Sequence, residues 1–430
     1  MTRWQWLLGK LTRRLWWRAS LFGALGVATA VLSAFVEPYI PWELEAKIGA
    51  DAVDGILEII ASSMLAVTTF SLSVMTSAYS SATSNVTPRA TTLIMEDRLT
   101  QTVLSTFIGS FLFAIVGIVV LQTGAYGERG RVILFVATIF VIALIVVSLL
   151  RWIDHLTRLG RVGETTNRVE EATHKAIAER VEQPFLGAHP LRDPAREVPK
   201  SAGAITANCI GYIQHVDLTA LDACAEAADG RIFIAANPGA FVYPDTPLAW
   251  LDAKGKLTDE QQNSIRTAFS VGTERNFDQD PRFGLAVMSE IACRALSPAV
   301  NDPGTAIDVI GRLTRLLGLW AESPPAPPDE VRFPRLYLPP LASDDLFEDA
   351  FMPMARDGAG MIEVQLRLQK ALGALGGMGD RAFAAAARKQ AQLAIDRAER
   401  ALDLPADRQR LRAVFRQAAP SPRRTKKTPG

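Results

Sequence analysis

The stretch Asp54–Thr87, DGILEIIASSMLAVTTFSLSVMTSAYSSATSNVT, decides how the rest of the chain is read. A bilayer's hydrocarbon core of about 30 Å takes roughly 20 helical residues, and this run is long enough to cross it. Ser62, Thr69, Ser73, Thr76 and Ser80 recur at spacings of seven, four, three and four, which puts them on one side of a helix. Met64, Leu65, Phe70, Leu72 and Met75 are expected on the opposite side. A spanning helix with one hydroxyl-rich flank should turn that flank from lipid, toward other helices or toward water.

Three more apolar runs surround it, so spans are expected at about 19–36, 56–80, 101–122 and 132–152, a four-helix transmembrane domain over 19–155. The first 18 residues mix Arg3, Lys10, Arg13, Arg14 and Arg18 with Trp4, Trp6, Trp16 and Trp17, a basic amphipathic segment suited to the headgroup layer. That segment is too long and too basic for a cleaved leader, and more spans follow it. The loop EPYIPWELEAKIGADAVD holds one lysine, Lys47, whereas Arg151, Arg158, Arg161 and Arg168 flank the last span. The basic excess places both termini on the cytoplasmic side, and an even number of spans agrees.

Beyond the membrane the pattern changes. A charged helix and a proline-rich linker fill 156–203, and a small β-rich α/β unit is expected over 204–253, from GYIQHVDL, RIFIAAN and LAWLDA. A mostly helical cytoplasmic domain follows over 258–405. In it Asp280-Pro281 and Asp302-Pro303 each place a carboxylate at a helix cap and a proline at the first helical position. The tail over 417–430 is basic, proline-containing and expected to be disordered, able to touch anionic lipid. The fold class is therefore an α-helical integral membrane domain followed by a mixed α/β cytoplasmic domain.

Lys and Arg total 46 against 45 Asp and Glu, a balance that argues against a nucleic-acid partner. Cys209, Cys224 and Cys293 are odd in number and widely spaced, which suggests neither a disulfide framework nor a zinc site. His174, His189 and His215 are too scattered for a metal, and His155 beside Asp154 at the end of the last span could titrate near neutral pH, although one histidine at an interface is more often a solvated flank. The glycines of Gly373–Asp380 follow a helix where a dinucleotide loop needs a strand. With no HExxH, GxSxG or Walker string, neither an enzyme nor a cofactor is expected.

The strings SSATSNVTPR and RNFDQDPRFGLAVMSEIACRALSPAVNDPGTAIDVIGRL, and above all RALSPAVNDPGTA at Arg294–Ala306, resemble a bacterial membrane-protein family described as domain of unknown function 2254. The resemblance covers nearly the whole chain. It implies a multi-pass inner-membrane protein with a cytoplasmic domain, and it brings no catalytic residues with it.

Two constellations carry candidate chemistry. Glu58, one turn before Ser62, with Ser62, Thr69, Ser73, Thr76 and Ser80, could line a cation path in a homo-oligomer, because hydroxyl oxygens replace part of an ion's hydration. The same small and hydroxyl residues equally let spanning helices pack closely, and the sequence leaves both readings open. The second constellation is Arg275, Asp278, Asp280, Arg282, Glu290, Arg294, Asn301 and Asp302, around two helix starts. Free N–H groups there could hold an anionic cytoplasmic ligand or a neighbouring subunit's carboxylate. Alternatively the aspartates cap their helices and the arginines pair with acids. The functions expected are a gated homo-oligomeric pore for a small ion or, in its place, a membrane-anchored scaffold or sensor.

Overall fold

The computed structural model describes residues 3–12, 15–35, 50–95, 97–123, 128–255, 257–322 and 331–418. By internal contacts the chain forms two compact units, one of Leu7–Ser84 and Ala90–Glu164, the other of Met1–Trp6, Asn85–Arg89 and Thr165–Gly430.

The first unit is helical: α1 (Arg3–Thr12), which belongs to it from Leu7 on, α2 (Leu15–Phe35), α3 (Ala50–Asn85), which belongs to it up to Ser84, α4 (Thr91–Met95), α5 (Arg98–Gln122) and α6 (Glu128–Leu156). Among the described residues three helices are long and apolar enough to cross a membrane, Val53–Ser84, Arg98–Gln122 and Gly130–Leu156, and Trp16–Leu32 in α2 is a shorter apolar helix. Its core joins Leu57, Met64 and Met75 of α3 to Phe107 and Phe113 of α5 and to Leu134, Ile145 and Trp152 of α6. α2 packs along α5 at a pair of glycines. A Cβ on Gly26 would stand 2.5 Å from the Gly109 carbonyl oxygen, and one on Gly109 would stand 2.8 Å from that of Phe22, so only glycine permits the approach. The perimeter is apolar, with Leu25, Ile59, Phe70, Ile139, Phe140 and Leu150 all half exposed or more, as lipid contact requires. The expected loop between the first two spans lies largely outside the described residues.

The second unit begins with α7 (Val162–Glu182), which belongs to it from Thr165 on. Then come β1 (Ala188–Pro190), α8 (Pro194–Glu197), β2 (Gly203–Thr206), β3 (Gly211–Val216), α9 (Leu218–Ala227), β4 (Arg231–Ile234), β5 (Phe241–Val242), β6 (Pro247–Asp252), α10 (Asp259–Thr267) and β7 (Phe269–Gly272). The remaining elements are α11 (Pro281–Ala295), α12 (Pro303–Ala321), β8 (Phe333–Leu338), α13 (Ser343–Asp357), α14 (Ile362–Leu375), α15 (Arg381–Ala401) and α16 (Pro405–Ala418). A mixed five-stranded sheet runs β1-β8-β4-β6-β2, and a second, antiparallel sheet runs β5-β3-β7. Where the sequence suggests separate segments at 204–253 and 258–405, the sheets take strands from both and from the connecting segment. β8 pairs in parallel with β4 and β1, and β7 pairs with β3. Such pairings join residues distant in sequence and leave no local signature. Residues 417 and 418, expected in a disordered tail, end α16, and the tail from 419 on lies outside the described residues.

β3 alternates buried and partly buried positions from Gly211 to His215, and Ile213, Val216, Leu221, Ile232 and Ile234 belong to the core of this unit. The helical part closes on Phe347, Phe351 and Phe383, with the rings of Phe347 and Phe383 edge to face at 4.8 Å.

Candidate functional site

On α3, Glu58, Ser62, Thr69, Ser73, Thr76 and Ser80 are all exposed on the single chain, opposite the line through Leu57, Met64, Ser71, Met75 and Ala78 that α3 buries. Of the apolar residues expected opposite the hydroxyls, only Met64 and Met75 are buried. Leu65, Phe70 and Leu72 are about half exposed or more, because the core covers a narrow line of α3 and these three fall on the shoulders of the hydroxyl stripe. The hydroxyls also bond to their own helix. Ser62 Oγ donates to the Glu58 carbonyl at 3.0 Å, Thr69 Oγ1 to that of Leu65 at 3.0 Å and Thr76 Oγ1 to that of Leu72 at 2.8 Å. This local bonding satisfies those O–H groups without a second helix, so the premise that they all need shelter from lipid is too strong.

A polar chain the sequence reading missed runs inside the same unit. Trp152 Nε1 donates to Ser71 Oγ at 2.9 Å, and both side chains are buried. The Trp152 indole stacks on the His155 imidazole at 5.7 Å, and His155 Nε2 lies 3.0 Å from Asp97 Oδ2 and 3.1 Å from Thr100 Oγ1. Asp97 in turn caps α5 through Thr100 N at 2.8 Å. The Asp154 beside His155 is turned outward and pairs with Arg158 at 3.1 Å.

The second constellation does not converge on one place. Arg275 grips Asp280 through Nε at 2.7 Å and Nη2 at 2.9 Å, while Asp280 Oδ1 accepts from Phe283 N at 3.1 Å and so caps α11. Asp280 is 3% exposed, and burial pushes its carboxyl up against the pull of Arg275. Gly239, at φ 91°, passes so close that any Cβ would overlap this carboxylate. Nearby Arg180 is buried and donates to Asn237 Oδ1 at 2.7 Å; desolvation lowers it to about 10 while Asp280 pulls the other way. Arg282 leaves the group to bind Asp349 at 2.7 Å and Asp345 at 2.6 Å, tying α11 to α13.

Asp278 and Glu290 hold segments from the start of the chain. Trp6, expected among lipid headgroups, is 6% exposed in the second unit, stacked on His215 at 5.3 Å with Nε1 donating to Asp278 Oδ2 at 2.8 Å. Its amphipathic setting gave no sign of this, because a tryptophan's apolar body and single N–H suit a protein pocket and a lipid interface equally. Glu290 accepts from Thr87 Oγ1 at 2.8 Å and pairs with Arg89 Nη1 at 2.8 Å, so the residues that continue α3 are bonded to α11. Arg294, Asn301 and Asp302 lie exposed at the turn between α11 and α12. There Asn301 adopts φ 49°, and Asp302 takes Thr305 N at 3.1 Å and Thr305 Oγ1 at 2.6 Å. Both helix starts are thus occupied by the chain's own aspartates.

The cysteines are free, and burial, helped by the Asp357 carboxylate, pushes the Cys293 thiol well up from its usual range. Among the described residues no group of three or more His, Cys, Asp and Glu is placed to hold a metal ion.

An apolar-rimmed helical unit whose long helices can cross a bilayer, continued into a mixed-sheet unit, defines a membrane protein. The chain belongs to the family described as predicted membrane protein, domain of unknown function 2254, whose model matches residues 12–374. It is similar to an uncharacterized protein of Mycobacterium bovis and to one of Mycobacterium tuberculosis, each 28% identical over 286 residues, covering 65% of this chain and 54% of the relative. The chain therefore spans about half the length of the curated relatives it matches. No solved structure matches it.

Proposed function

We propose that several copies of this chain assemble in a bacterial inner membrane with their α3 helices around a common axis, so that Glu58, Ser62, Thr69, Ser73, Thr76 and Ser80 line a path for a small cation. The observation that carries the reading is that all six lie exposed on one flank of α3 and away from the core of their own unit. A second copy presenting the same flank would enclose a polar lumen, with hydroxyl and carbonyl oxygens as partners for an ion. α2 acts as a fourth span beside α5, which returns both termini to the cytoplasmic side as the basic residues ask. The second unit gates the path, because Thr87 and Arg89, which continue α3, are held by Glu290.

Purified protein in liposomes tests this. A cation flux that falls when Ser73 or Thr76 is changed to leucine supports the path, and no flux across a range of voltage, pH and ions rejects it. The hydroxyl bonds internal to α3 favour a second reading, a membrane-anchored scaffold or sensor in which the spans only anchor the second unit. Cross-linking through cysteines placed at Ser73 separates the two, since a path needs these flanks within reach of one another.

A further inference from the structure

We infer that Asp97, His155, Trp152 and Ser71 form a proton-responsive latch that ties the charge of one imidazole to the middle of α3. His155 Nε2 stands 3.0 Å from a carboxylate oxygen and 3.1 Å from the Thr100 hydroxyl, so it carries the hydrogen in the neutral ring. A second proton then adds at Nδ1, the ring's other nitrogen, on a side chain that is 11% exposed. The new charge lies between the Asp97 carboxylate and the face of the Trp152 indole, and both attract a cation. That indole is the group whose N–H holds Ser71, so tightening the ring pair acts on the bond to α3.

Charged groups face this ring from the elements packed against it. α5 brings Asp97 and Arg98. Arg18 of α2 reaches the Arg98 carbonyl at 3.5 Å and Thr102 Oγ1 at 3.3 Å. On α6, Asp154 is spent on Arg158, and the turn that follows carries Arg161. α3 brings no charge from Ile59 to Val86, and its one titratable side chain there is Tyr79. Of these, only histidine ordinarily changes charge between about pH 5 and pH 8.

A protonated imidazole against an indole quenches its emission, which gives a direct reading. Take the full chain in detergent and obtain the Trp152 emission as the difference between wild type and Trp152→Phe. It should fall as the pH drops from about 8 to about 5. The fall should vanish in His155→Gln and move in Asp97→Asn. Ser71→Ala should keep the titration and lose its effect on α3, read as pH-dependent hydrogen exchange of the 66–76 peptide after correction for intrinsic rates. The exchange experiment needs no substitution in the wild-type chain, so it also judges the latch should a variant misfold. An emission that is flat with pH, an equal fall in His155→Gln, or exchange at 66–76 independent of pH overturns the proposal. As a regulator of ion flow the latch rests on the path proposed above, and liposome flux keeps the two apart. Titrating emission without flux removes the path and leaves the latch, whereas flux with flat emission does the reverse.

Discussion

Thr87 Oγ1 lies 2.8 Å from Glu290 Oε2, and the same carboxylate takes Arg89 at 2.8 Å through its other oxygen. One acidic side chain on α11 therefore secures the segment by which α3 leaves its own unit. Replacing Glu290 with alanine should cost only about 1 kcal/mol globally, since Arg89 is largely exposed. It should raise tryptic cleavage after Arg89 several-fold, and mass mapping of early fragments checks this.

The buried Arg275–Asp280 pair predicts a larger effect. Arg275→Ala leaves a carboxylate that is 3% exposed without its bidentate partner, at a cost of roughly 3 kcal/mol. Circular dichroism melting in detergent should show an early transition in this variant, and Arg275→Lys should recover part of the loss.

Packing of α2 on α5 depends on Gly26, where a Cβ would stand 2.5 Å from the Gly109 carbonyl oxygen. Gly26→Val should force the helices apart and lower stability by about 1–3 kcal/mol. Gly55→Ala, at a position open to 4 Å around, serves as the control, and thermal melts of the two in one detergent provide the comparison.

Removing Trp6 takes away the stack on His215 and the bond to Asp278. Because these contacts hold one short segment, its local release should precede global unfolding. Trp6→Ala should speed tryptic cleavage at Lys10, while Trp6→Phe, which keeps a ring but loses the N–H, should fall between it and wild type.

Asp302 predicts an acid dependence. The Thr305 hydroxyl and N–H hold its carboxyl below the usual range, so its value in the folded chain is depressed. Its contribution is then present above the ordinary aspartate value of about 3.9 and is lost as the pH falls through the lower folded value. Wild type should lose more melting temperature than Asp302→Asn between about pH 5 and pH 3.

How much of this was legible depends on the range of the interaction. The hydroxyl stripe of α3 is a matter of helical period, and counting from Ser62 to Ser80 finds it. The capping aspartates at 280 and 302 are equally local, since the cap and the N–H it takes are three residues apart. Membrane character and family membership likewise follow from composition and strings of adjacent residues.

Only the tertiary structure decided which side of α3 is covered, where Trp6 goes, and that the eight residues from Arg275 to Asp302 divide among a cap, two anchors, a helix tie and an exposed turn. The helix tie and the place of Trp6 depend on distant partners, Asp345 at 63 residues from Arg282 and Asp278 at 272 residues from Trp6. The physical reason is that a side chain's period and polarity determine which face it occupies, whereas its partner is determined by packing of the whole unit, and no local pattern encodes that.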